Sequence, residues 1–87
     1  MCDSYEISNA EEIRDFLTHK FGVNGTRIFV RIVHVFANPT NKNLTFQGNN
    51  ILRARISKKI RVCAYILGGC KVHIYRIDTN HSTDQCP

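Results

Sequence analysis

Apolar residues near the start of the chain recur at helical spacing. Ala10, Ile13, Leu17 and Phe21 share one side of a helical projection, with Glu12, Asp15 and His19 on its other faces. Ser8-Asn9-Ala10-Glu11 has the form of a capping box, in which Ser8 caps the helix start and Glu11 reaches back. Gly22 offers a left-handed stop. The pattern predicts a helix over residues 9–21.

The next apolar run, Ile28 to Phe36, is rich in β-branched residues, and propensity alone favours a strand. Periodicity favours a helix, because Arg27, Arg31, His34 and Asn38 fall on one helical stripe. A strand would set Arg27 and Arg31 on the same face as Phe29, Val33 and Val35. Thr26 can cap such a helix and Pro39 ends it, so a mostly buried helix over 27–37 is preferred. Residues 38–43 form a polar turn segment. Leu44 to Phe46 reads either as a short strand or as the approach to another helix. A third helix is expected near 48–55, carrying Ile51, Leu52 and Ala54. Ser57 suits the cap of a fourth helix over 58–67, with Ile60, Cys63, Ala64 and Leu67 inward and Gly68-Gly69 closing it. Residues 70–77 then alternate as a strand, Val72 and Ile74 on one face and Lys71, His73 and Tyr75 on the other. The polar tail from Asp78 to Pro87 either returns as a hairpin strand or frays. These elements predict one mainly α domain with a small β wing, an α+β fold with an extra N-terminal helix.

At 87 residues with 43% apolar composition the chain suits one small domain with a core of its own. The longest uncharged apolar stretch in its C-terminal half, Val62 to Cys70, is far shorter than the about 20 residues a membrane span needs. The first residues show no basic segment followed by an apolar core, so the expected location is cytoplasmic.

Charge sharpens the picture. Residues 1–21 carry five acids against Arg14 and Lys20, whereas residues 22–87 carry ten Lys and Arg against only Asp78 and Asp84. Between Asp15 and Asp78 no acidic side chain occurs. A single-sign field of this extent is expected to draw a polyanion, with docking on an acidic partner protein as the competing reading.

The stretch NILRARISKKIRVCAYILGG followed by CKVHIYRI resembles a winged helix-turn-helix, covering about residues 44–77. The glycine often found in the inter-helix turn is replaced here by Ala54-Arg55, and a second wing strand is not evident. The resemblance implies that helix 58–67 enters the major groove of duplex DNA and that residues 70–77 form the wing. On that helix Lys58, Arg61, Val62 and Tyr65 form an outward stripe able to meet base edges, a thymine methyl and a phosphate. Arg53, Arg55, Ser57 and Lys59 cluster at its start, where phosphate contacts would set register. Lys71, His73, Tyr75 and Arg76 would bring the wing to the backbone or minor groove, or serve only to protect an exposed strand. The acidic helix 9–21 lies outside the positive field and is a candidate homodimer element, or simply completes the core.

The expected function is thus duplex DNA binding by a small transcriptional regulator or chromatin-type factor. The alternatives are an interaction protein for an acidic partner and an RNA-binding module, the last weakened because Tyr65 and Tyr75 look isolated. No cofactor, membrane or small-molecule substrate is implied. Catalysis is not expected, because the acids gather near the two ends and leave the middle without a carboxylate. Cys63 reads as a small core residue, while Cys70 and Cys86 are either stapled together or free thiols. A zinc site from Cys70, His73, His81 and Cys86 is disfavoured because residues 70 and 73 point to opposite faces of a strand.

Overall fold

In the computed structural model, which describes residues 2–39 and 42–79, a short strand and two helices precede a four-stranded meander. The elements are β1 (Glu6–Ile7), α1 (Ala10–Phe21), α2 (Val23–Ala37), β2 (Leu44–Gly48), β3 (Ile51–Arg55), β4 (Arg61–Leu67) and β5 (Lys71–Asp78). The sheet order is β1-β5-β4-β3-β2, with β1 parallel to β5 and the other pairs antiparallel. The protein is therefore a two-layer α+β fold as rich in strand as in helix, and not the mainly α winged helix expected from the sequence. Both helices lie on one face of the sheet. No helix among the described residues is long and apolar enough to cross a membrane.

Helix α1 follows the predicted span closely and buries Ile13 and Leu17. Its cap is Asn9 and not Ser8. The Asn9 side chain makes no cap bond; its Nδ2 donates to the Ile74 carbonyl at 2.9 Å and its Oδ1 accepts from the Ile74 N–H at 3.0 Å. Asn9 thus extends the pairing that β1 begins along β5. The run 28–36 is helical, as periodicity indicated, and α2 starts earlier than expected, at Val23. That early start brings Gly25 against the Leu17 carbonyl, so close that a Cβ at Gly25 would collide with it.

The two helices predicted for 48–55 and 58–67 are not formed. Asn49 and Asn50 have φ of 54° and 61° and join β2 to β3 through a two-residue hairpin turn. Two successive positive φ values match the right-handed twist of the flanking strands, and asparagine tolerates them. Strand β3 then alternates, with Leu52 and Ala54 buried and Ile51, Arg53 and Arg55 on the other side. Ser57 caps a turn instead of a helix: its Oγ accepts from the N–H groups of Lys59 at 3.3 Å and Ile60 at 3.2 Å. Val62, Ala64 and Ile66 of β4 face the helices, paired with Ile77, Ile74 and Val72 of β5. Strand β5 matches the predicted strand, and the loop before it takes left-handed values at Gly69 and Cys70. The expected course of the tail falls on residues 80–87, outside the described residues.

One core cluster unites the layers, with Leu17, Ile32 and Phe36 of the helices set against Leu52, Ala54, Val62, Ala64, Val72 and Ile74 of the sheet. A disulfide joins Cys2 to Cys70 across a 68-residue separation, with Cα atoms 5.7 Å apart. It ties the segment before β1 to the turn before β5. Cys70 is therefore neither stapled to Cys86 nor available as a thiolate for zinc. Cys63 is disulfide-bonded as well.

Candidate nucleic-acid interface

Side chains alternate across a strand, so the pairing register assigns each predicted contact residue to a face. Arg55 lies opposite Arg61, Arg53 opposite Cys63, and Ile51 opposite Tyr65. On the other side of β4, Cys63 faces Arg76, Tyr65 faces His73 and Leu67 faces Lys71. All of these residues share the face turned away from the helices. The sheet face turned away from the helices thus gathers Arg53, Arg55, Arg61, Tyr65, Lys71, His73 and Arg76 from three strands, around the buried, disulfide-bonded Cys63.

Tyr75 joins them by the ordinary alternation from Lys71 and His73, and Arg76 does so through an irregularity. The β4–β5 register shifts between Cys63 and Ala64, leaving Tyr75 as an extra residue on β5. Its ring stacks on that of Tyr65, with centroids 4.2 Å apart and planes 22° from parallel. The two tyrosines, isolated in sequence, form one aromatic patch among the cations. Partial burial raises the Tyr75 phenol above its ordinary pKa, the neighbouring Tyr65 phenol adds to that shift, and Arg76 opposes it.

Beside this patch, toward the β2 edge, a recess of about 390 Å³ is lined by Lys42, Asn43, Thr45, Arg53, Arg55 and Arg61. Four of its six described lining residues are cations and none is an acid. Arg61 is the one charged residue that is buried among the described residues. Its Nη1 donates to the carbonyls of Ser57, Lys58 and Ile60, which fixes the guanidinium over the β3–β4 turn. Strand register also brings Asp78 opposite Arg61, on the side away from the recess.

The remaining predicted contacts stand elsewhere. Val62 is fully buried on the helix-facing side and is unavailable to any ligand. Ser57, Lys58 and Lys59 belong to the β3–β4 turn and line a hollow with Phe21, Ile60 and Thr79 at the end of the molecule. Helix α1 buries Ile13 and Leu17 in the core and exposes Phe16. Lys42, Asn43 and Thr45 were not singled out in the sequence, because only the pairing of β2 with β3 brings them beside Arg53 and Arg55. The chain matches no protein-family model, no curated protein and no solved structure.

Proposed function

We propose that this protein is a binding module that holds single-stranded nucleic acid on the sheet face turned away from its helices. The carrying observation is the Tyr65–Tyr75 stack set among Arg53, Arg55, Arg61, Lys71 and Arg76. Single strands expose unpaired bases, which stack on aromatic side chains at roughly 1–3 kcal/mol each, while a cationic groove follows the phosphates. Duplex recognition required a groove-entering helix over 58–67. That segment is a turn followed by β4, so the single strand is the better fit.

The Cys2–Cys70 disulfide supports an oxidising site of action in place of the cytoplasm expected from the sequence, since a reducing cytosol keeps such thiols free.

Fluorescence anisotropy with single-stranded DNA, single-stranded RNA and duplex DNA at several salt concentrations tests the proposal. Single strands are expected to bind more tightly than duplex, with log K falling against log salt at a slope of about −3 to −4 if the five cations meet phosphates. Tighter binding to duplex, or binding to none of the three, would overturn it.

A further inference from the structure

We infer that the recess between β2, β3 and β4 is a site for a terminal phosphate, so that the module prefers strands ending in a phosphate monoester; this rests on the single-strand reading above. Three observations carry it. First, Arg55 and Arg61 are direct cross-strand partners on one face. Like charges so placed repel each other and destabilise the sheet unless an anion stands between them. Second, Arg61 is only 8% exposed, and its guanidinium is held by backbone carbonyls, with Asp78 in register on the far side. A cation held in place in this way is preorganised and binds an anion with little further loss of entropy. Third, Lys42 and Arg53 converge on the same space, with the Asn43 and Thr45 side chains adding hydrogen-bonding groups.

The charge in the recess selects the ligand. A phosphodiester carries one negative charge, whereas a terminal monoester carries about −1.5 to −2 and three acceptor oxygens. Setting Asp78 against Arg61 still leaves three cations at the recess, more than one diester can match. Arginine guanidinium groups also suit the paired oxygens of a phosphate. A strand whose terminal phosphate occupies the recess has the Tyr65–Tyr75 patch next to it on the same face, where its following bases can stack.

The test compares one strand of about ten nucleotides, a site size typical of sheet platforms, prepared with a phosphate at either end and with hydroxyl ends only. At constant ionic strength, one phosphorylated form is expected to bind roughly tenfold more tightly, the gain from one or two charge-assisted contacts. Excess inorganic phosphate should erase that difference. Arg55→Gln and Lys42→Gln should each shrink the preference, while Tyr75→Leu should weaken all forms and leave the preference intact. Equal affinity for all forms overturns the terminal-phosphate site while leaving the sheet-face reading in place. Binding of none of them overturns both. Thermal melting of each variant shows that it is folded.

Discussion

Tyr65 and Tyr75 lie on neighbouring strands with their rings stacked at 4.2 Å, although neither is the other's partner in the β4–β5 register. Regular alternation makes the contact possible, because Tyr75 stands two residues beyond His73, the partner of Tyr65, on the same face. Tyr65 is 44% exposed, so part of the pair is open to a ligand base. Replacing Tyr65 by Leu removes the aromatic face and keeps most of the apolar bulk. Single-strand affinity should fall by roughly tenfold or more, the loss of one stacked base. The salt slope should remain unchanged, because no phosphate contact is lost. A titration in which the slope changes and the affinity at low salt does not would assign Tyr65 a different role.

Stacking also ties the two phenols together in pH. Burial and the Tyr65 phenol both raise the Tyr75 pKa in the folded protein. The folded state therefore retains the Tyr75 proton at pH values where the unfolded chain has lost it. The stability this contributes is present below the ordinary tyrosine range, near pH 10, and is lost as pH rises through the higher folded value. Phenolate absorbance should show one tyrosine titrating late in the native protein. Tyr65→Phe should move that titration downward, though not to the ordinary value, because burial remains the larger cause. A single unperturbed tyrosine transition in the native protein would contradict this arrangement.

The elements legible in the sequence were those whose periodicity had one reading. Ile13 and Leu17 mark α1 at helical spacing, and Val72 and Ile74 mark β5 by alternation. Residues 60–67 had two readings. Ile60, Cys63, Ala64 and Leu67 fit a helix face, and Val62, Ala64 and Ile66 equally fit a strand face. Ser57 looked like a helix cap because the same hydroxyl geometry serves a helix and a tight turn. The decisive signal was Asn49-Asn50, a hairpin turn that makes β2 and β3 and then leaves β4 a strand edge to pair with. The cations of the site were legible as charge, and all but the turn lysines do share one face. Their partnership was not legible, because Arg55 meets Arg61 only through the β3–β4 register. Once the segment is read as a strand, Val62 necessarily points to the core.

The Arg55–Arg61 pair has a consequence for stability without ligand. Arg55 is exposed and its partner is buried, so the change is best made at Arg55. Arg55→Gln should raise the unfolding free energy by about 0.2–1 kcal/mol, the cost of a like-charge cross-strand pair. The gain should be largest at low ionic strength and shrink as salt screens the repulsion. Urea unfolding at two salt concentrations measures both effects. A destabilised Arg55→Gln protein would mean that the two guanidinium groups are not opposed in the sheet.

Close approach of the helices depends on Gly25. A Cβ there meets the backbone of Leu17 and Thr18, which cannot move aside as a flexible side chain could. Gly25→Ala must shift α2 against α1 and disturb the packing of Ile32 and Phe36, both fully buried. Overpacking of this kind costs about 1–3 kcal/mol, outweighing the helix-propensity gain of alanine over glycine of about 1 kcal/mol. The variant should melt lower than the parent. A neutral or stabilised protein would show that the helices are not in contact at this point.

Cys2 and Cys70 enclose nearly the whole of the described fold, so their bond constrains the unfolded chain more than the folded one. Closing a loop of 68 residues removes denatured-state entropy worth about 4 kcal/mol in the chain-entropy treatment. A domain of this size has a small core, and the same amount is a large part of its total stability. The double replacement Cys2→Ser with Cys70→Ser should therefore lower the unfolding free energy by about 2–4 kcal/mol. Local effects should concentrate at β1, whose two residues hold on to β5 only through Glu6, Ile7 and the neighbouring Ser8 and Asn9. Hydrogen exchange should quicken at the Glu6 and Ser8 amides, which donate to the Cys70 and Val72 carbonyls, before it does so in β3 and β4. The proposed binding face lies largely on β3, β4 and β5, so the affinity of the folded double variant for single strands should stay within about twofold of the parent. Equal stability with and without the bond would show that it does not form in solution.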